Sequence, residues 1–175
     1  AAVLAFAIES VRRNTFTDWE LLVVGDACTD DTRAVVERFQ DPRISFINLP
    51  ANCGEQSGPN NAGVARATGQ YLAFLSHDDF WLPDHLATLV AEIERQGADL
   101  VFGLALQRRP DGLYSLPAAS PSGHYEPQQG IAATLWLFRR ELASEIGPWC
   151  SFRETYMVPS QEWLYRAWRA GKKMI

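Results

Sequence analysis

Tyr71-Leu72-Ala73-Phe74-Leu75-Ser76-His77-Asp78-Asp79 is the stretch on which the fold turns. An unbroken apolar run reads as a buried strand, and here it ends at two adjacent carboxylates. Open α/β sheets take their ligands just beyond the carboxyl ends of their strands. Two acids fixed there suit a divalent cation and a polyphosphate.

Working outward, helical and strand patterns alternate. Leu4, Ile8 and Val11 recur at helical spacing, which predicts a helix over residues 1–13. Glu20 to Val24 is β-rich. Thr29 is placed to cap a helix with Asp30 and Asp31 in its first turn and Thr32, Val35, Val36 and Phe39 facing inward. Arg43 to Leu49 reads as the next strand. A loop over 50–59 and a short helix over 60–67 lead back to the acidic stretch. Pro83 is suited to open a helix at its first position, with Leu86, Leu89, Val90 and Ile93 inward. Ala98 to Leu106 returns as a strand.

This alternation predicts an α/β fold, a mainly parallel sheet with helices on both faces. Such units open with a strand, so a first strand before Ala1 is expected to be missing. Residues 107–130, rich in Pro, Gly and Ser, predict a long loop or irregular hairpin. Beyond it come an apolar run over 131–138, a helix over 139–146, and a last helix from Ser160. Trp163, Leu164, Ala167 and Trp168 are expected on the inner face of that last helix, and Gly171 ends it.

The 175 residues fit one domain. Apolar content of 47% and charged content of 21% describe an ordinary folded protein. A net charge of −5, with Lys and Arg scattered, argues against nucleic-acid binding. No apolar run approaches the roughly 20 residues that a membrane helix needs. Cys28, Cys53 and Cys150 lack metal spacing and read as free thiols, which points to a cytoplasmic setting.

Asp26 also ends a strand. Its carboxylate suits a nucleobase imide or a ribose hydroxyl, and equally suits a turn held through its own backbone. Asp78 and Asp79 repel each other unless a cation offsets them. They read as hard oxygen ligands for Mg²⁺ or Mn²⁺, or as a helix-entry cluster favoured by the dipole. Glu162, in the first turn of the last helix, can serve as a general base, or can form a surface ion pair with Arg166 four residues on. Asn52, Gly54, Asn60, Asn61 and Gly63 suit a nucleotide pocket and also ordinary turns.

Together these stretches resemble the family 2 glycosyltransferases, the inverting group with the GT-A fold. Glu9-Ser10-Val11 with Thr15-Phe16-Thr17-Asp18-Trp19-Glu20-Leu21 is similar to the family's first helix and second strand. Val23-Val24-Gly25-Asp26-Ala27-Cys28-Thr29-Asp30-Asp31-Thr32 is similar to its VVDDGSTDDT segment. Asn60-Asn61-Ala62-Gly63 through Ala67-Thr68-Gly69-Gln70-Tyr71 to Asp78-Asp79 is similar to its RNxGxxxAxGxYxxxLDxDD segment. Ser160-Gln161-Glu162-Trp163-Leu164 with Arg166 and Gly171 is similar to its EDWxLxxRxxxxG segment.

The resemblance implies roles position by position. Asp26 would read the nucleotide's base, with Asn61 also in the nucleotide pocket. Asp79 would ligate the metal on the diphosphate, and Asp78 would contact metal or ribose. Glu162 would be the catalytic base, preceded by the Gly147-Pro148-Trp149 turn. The implied reaction moves a sugar from a nucleotide-diphosphate donor to a saccharide, lipid-linked or protein acceptor, with inversion. The implied organisation is one GT-A domain truncated at both ends, residues 1–106 holding the nucleotide and 107–175 facing the acceptor. A bacterial, cytoplasmic protein with peripheral association at the inner membrane face is the matching expectation. Gly25 stands where the family has its first aspartate, and Ser76 where it has the first acid of DxD. Glu162 replaces an aspartate. The rival readings are a non-catalytic nucleotide-sugar-binding module and a nucleotidyltransferase on a related fold.

Overall fold

A computed structural model describes residues 3–108, 111–112, 114–115 and 122–175. Helix α1 (Leu4–Arg12) buries Leu4, Ala7, Ile8 and Val11. Strand β1 (Leu21–Gly25) runs parallel to β2 (Ile44–Asn48), with Leu21 opposite Ile44 and Gly25 opposite Asn48. Between them lies α2 (Thr32–Glu37). Leu4 and Ile8 of α1 meet Val35 and Val36 of α2 over this strand pair, and cover one of its faces.

Asp30, not Thr29, serves the start of α2. Its Oδ1 accepts from the Thr32 amide at 3.1 Å and from the Thr32 hydroxyl at 2.6 Å. The aspartate reaches two residues forward, which satisfies a helix-entry donor in the way an N-cap side chain does.

Helix α3 (Ser57–Val64) starts three residues earlier than its Asn-rich sequence suggests. Strand β3 (Tyr71–Ala73) is shorter than the apolar run, because Phe74 leaves the ladder to join an aromatic cluster. Helix α4 (His85–Gln96) begins after Pro83 rather than with it. Pro83 is instead held in the preceding turn, where its carbonyl accepts from the Thr15 amide at 2.7 Å. Strand β4 (Leu100–Phe102) follows, then a hairpin of β5 (Gln107–Arg108) and β6 (Tyr114–Ser115). Thus part of the 107–130 segment forms the expected irregular hairpin, while 109–110, 113 and 116–121 lie outside the described residues.

A 3₁₀ turn (Ala133–Leu135) leads into β7 (Trp136–Arg139), then α5 (Arg140–Ile146) and α6 (Pro159–Arg169). β7 inserts between β3 and β4 and runs antiparallel to both. Its side chains alternate. Leu137 packs with Leu86, Leu89 and Ile93 of α4, while Trp136 and Phe138 join Trp149, Trp163 and Leu164. Helices therefore cover both faces of this half-sheet, as period-two alternation across a strand requires. Met174 bridges to Leu100 on the open side of β4. Trp168 is 44% exposed, so it lies outside the inner stripe of α6. It stacks on Tyr165 instead.

The sheet is divided. Among the described residues β1 pairs only with β2, and β3 only with β7. Between them opens a cavity of about 580 Å³, lined by Leu21, Leu22 and Val24 of β1 and by Tyr71, Leu72 and Ala73 of β3.

Candidate functional site

Asp26 follows the last residue of β1. Its Oδ1 accepts from the Cys53 amide at 2.7 Å and its Oδ2 from the Gly54 amide at 2.9 Å. The Asn52 side-chain amide donates back to the Asp26 carbonyl at 2.9 Å. Burial opposes the charged form, but the two amide donors outweigh it and hold the carboxyl below its ordinary range. The turn reading is thereby revised: Asp26 braces the loop after β2 rather than its own backbone. A carboxylate has about four acceptor directions, so these two bonds leave it capacity for a ligand.

Gly25 is required by its neighbours. A Cβ there would lie 2.8 Å from Asn48 Oδ1 and 2.9 Å from Cys28 Sγ. Asn48 closes over the turn, accepting from the Cys28 amide at 2.8 Å and donating to the Cys28 carbonyl at 2.9 Å. Asn48 carried no sequence signal beyond ending a β-rich run.

The acidic turn is pinned at its exit. The Ser10 hydroxyl accepts from the Trp81 amide at 3.1 Å, and the Trp81 indole donates to the Thr134 carbonyl at 3.0 Å. Asn14 Oδ1 accepts from the Leu86 amide at 3.0 Å, tying α1 to the start of α4. Within the turn, the Asp79 amide donates to the Ser76 carbonyl at 3.2 Å. Ser76, His77, Asp78 and Asp79 are all exposed. His77 Nδ1 lies 3.8 Å from Asp78 Oδ1, so His77 flanks the pair. No cluster of three or more His, Cys, Asp and Glu side chains suited to a metal occurs among the described residues. The donor set is therefore two hard carboxylates on a solvent-facing turn. It fits a Mg²⁺- or Mn²⁺-type cation whose shell is completed by substrate phosphates and water.

Glu162 is the fourth residue of α6, behind Pro159 at the first helical position. Its side chain is only 16% exposed, so its pairing with Arg166 is not a surface one. Glu162 Oε1 accepts from Arg166 Nε at 2.8 Å, while Oε2 is buried with no hydrogen-bond partner. Arg166 also donates to the Ile146 and Pro148 carbonyls. The Cys150 thiol is pushed above its ordinary range by burial and, secondarily, by the adjacent Glu162 charge. All three cysteines are free.

Asn61 takes a different place from the one expected. Its Nδ2 donates to the Trp149 carbonyl at 2.9 Å and its Oδ1 accepts from the Trp149 amide at 2.9 Å. The amide of Asn61 is thus a strut holding the Gly147-Pro148-Trp149 turn. The Trp163 indole holds the same turn through the Gly147 carbonyl at 2.9 Å. Phe74, at the root of the acidic turn, meets the Trp149 ring edge-on at 5.0 Å. A short path of packed rings therefore joins the Asp78–Asp79 turn to the helix of Glu162. Arg153 approaches the loop that binds Asp26: a Cβ at Gly54 would lie 3.9 Å from Arg153 Nη2. Nothing in the sequence around Arg153 marked it.

A family profile described as Glycosyl transferase family 2 matches residues 1–147. A UDP-Glc:alpha-D-GlcNAc-diphosphoundecaprenol beta-1,3-glucosyltransferase, WfgD of Escherichia coli, is 31% identical over 100 residues, 57% of this chain and 39% of that protein. Among solved structures, S. aureus TarS in complex with UDP-GlcNAc superposes with a TM-score of 0.78 at 17% identity, over 98% of this chain and 52% of that one. The mannosyltransferase PcManGT from Pyrobaculum calidifontis, in complex with GDP-Man and Mn²⁺, superposes with a TM-score of 0.78 at 18% identity, over all of this chain and 50% of that one. These likenesses show the GT-A fold. The chain spans about half or less of the length of these relatives.

Proposed function

This chain belongs to glycosyl transferase family 2, and from that premise we propose that it transfers a sugar from a nucleotide-diphosphate donor to an acceptor hydroxyl with inversion. The observation that carries this reading is Glu162 Oε2, a buried carboxylate oxygen with no partner in the described structure. Such an orphan is costly unless something donates to it. An acceptor hydroxyl is a donor of the required kind.

In this reading the donor's base or ribose contacts Asp26, whose geometry is fixed by the Cys53 and Gly54 amides. Asp79, with Asp78 beside it, would hold Mg²⁺ or Mn²⁺, which supplies charge neutralisation for the departing diphosphate. The acceptor hydroxyl donates to Glu162 Oε2. As its oxygen bonds to the anomeric carbon, the bond from that carbon to the diphosphate breaks and Glu162 takes the hydroxyl proton. Attack from the face opposite the leaving group inverts the centre. Arg166, held by two carbonyls, fixes the carboxylate's direction through Oε1. Residues 1–106 serve the donor and 107–175 the acceptor.

A lipid-linked saccharide is the acceptor class we favour, because the named E. coli relative acts on a diphosphoundecaprenol-linked sugar. Reaching it implies peripheral contact with a membrane. No helix among the described residues is long and apolar enough to cross one.

The test is release of nucleoside diphosphate by the full-length protein from a panel of UDP- and GDP-sugars, with Mn²⁺ or Mg²⁺ and an undecaprenyl-diphosphate-linked sugar. Acceptor-dependent release supports transfer. Donor binding without any release, with every acceptor offered, would convert the reading to that of a binding module. The Glu162–Arg166 pair is the observation that favours this second reading.

A further inference from the structure

The candidate site has a charge problem. Asp26, Asp78, Asp79 and Glu162 contribute four carboxylates, on a chain of net charge −5. A nucleoside diphosphate brings more negative charge. One divalent cation on the Asp78–Asp79 turn would offset part of it, and like charges gathered at one site are mutually costly.

The cations around the site are mostly committed. Arg166 is spent on Glu162 and two carbonyls. Arg153 differs: no carboxylate among the described residues pairs with it. Its backbone is fixed, the Arg153 amide donating to the Ser151 hydroxyl at 3.3 Å. Its guanidinium rests over the Phe152 ring, 5.2 Å from the centroid. Its Nη2 lies close to Gly54, 3.9 Å from where a Cβ on that residue would be. Gly54 has φ +72° and carries the amide that binds Asp26 Oδ2. Arg153 is exposed, but its guanidinium sits over an aromatic ring, close to the backbone that binds the Asp26 carboxylate, and lacks a carboxylate of its own among the described residues, so it is presented to an anion.

We infer that Arg153 is a donor-binding residue, its guanidinium taking the phosphate oxygens of the nucleotide whose base or ribose lies on Asp26. The inference rests on the donor site proposed above. Guanidinium matches phosphate oxygens in a two-pronged geometry that an ammonium does not reproduce.

Titration calorimetry on the full-length protein, with UDP against uridine and GDP against guanosine, tests this. Arg153→Gln should weaken the bound nucleoside diphosphate by about 10- to 100-fold, the range of a lost charge-assisted contact. Affinity for the matching nucleoside should stay unchanged, and the salt dependence of diphosphate binding should become shallower. Arg153→Lys should fall between the two, since it keeps charge without the fork. Equal losses for diphosphate and nucleoside would overturn the inference, because a merely structural role moves both. So would an unchanged diphosphate affinity, which leaves the donor site itself standing. A wild-type protein that binds neither diphosphate overturns both together.

Discussion

Asn61 and Trp149 exchange two hydrogen bonds, each 2.9 Å, across 88 residues of chain. The pair is the bolt between α3 and the turn that precedes α6. Asn61→Ala leaves a half-buried amide and carbonyl of Trp149 unsatisfied. A loss of about 1–3 kcal/mol follows, which lowers the melting temperature by roughly 2–10 °C for a chain of this size. Asn61→Asp should be no better, because a carboxylate cannot donate to the Trp149 carbonyl. Thermal unfolding followed by circular dichroism measures both.

Glu162→Gln keeps the shape of the side chain and removes the base. Transfer should fall by about 10²- to 10⁴-fold, the usual contribution of a positioned base. Donor affinity should hold, because Glu162 is assigned to the acceptor side. Unchanged turnover would remove Glu162 from the reaction.

Asp79→Asn should erase the part of donor binding that depends on a divalent cation and spare the part that does not. Calorimetry with Mn²⁺ and again with excess chelator separates the two. Equal donor affinity of Asp79→Asn and wild type in Mn²⁺ would move the cation elsewhere.

Gly25→Asp would restore the acid that most of the family carries, and it should do harm here. Asn48 Oδ1 and Cys28 Sγ stand within 2.9 Å of the new Cβ, and the glycine itself is buried. Overpacking plus a confined charge should cost about 2–4 kcal/mol. Denaturant unfolding reads this loss. A Gly25→Asp protein as stable as wild type would show that the Asn48–Cys28 closure yields easily.

His85 sets a pH dependence. It stacks on Trp81 at 4.8 Å, and its Nε2 is buried without a partner. Burial drives its pKa down from 6.5 to about 4, against a smaller opposing pull from Asp84. The folded state thus binds the proton more weakly than the unfolded chain. Stability is full above pH 6.5 and falls as pH drops toward 4. Allowing for partial exposure, the loss is about 1–2 kcal/mol. A His85→Gln protein should show a flatter profile across that interval in pH-dependent chemical denaturation.

Much of this was legible in sequence because the strongest signals are local. The helical period of Leu86, Leu89 and Ile93 found α4, and the apolar run with its acids found β3 and its turn. The placement of β7 was not legible. Trp136, Leu137 and Phe138 are all buried, so the run shows no alternation that names its neighbours. Pairing with β3 and β4 is a long-range choice. Pro83 misled for a similar reason: its fixed φ suits a helix start and a turn alike, and the Thr15 amide decided for the turn. That Asp26 follows a strand and Glu162 stands in the first turn of a helix was legible in the sequence. Their partners, Cys53, Gly54 and the unpaired Oε2, are tertiary facts. Asn61 looked like pocket chemistry because an asparagine's two functions serve a ligand and a distant backbone equally well.

Strand β7 has a mechanical meaning. Ladder hydrogen bonds are what make strands melt together, and β7 is laddered on both sides, to β3 and to β4. Amide exchange should therefore find the β7 amides among the slowest of the described residues. Trp163 and Leu164, beside Glu162 on α6, pack on this strand, and Asp26 follows β1, on which α3 packs. The Asn61–Trp149 bolt ties α3 to the turn before α6. Ser10, Asn14 and Glu20 tie the α1 and β1 side to the segments that carry α4 and β3, so the two carboxylates breathe in step.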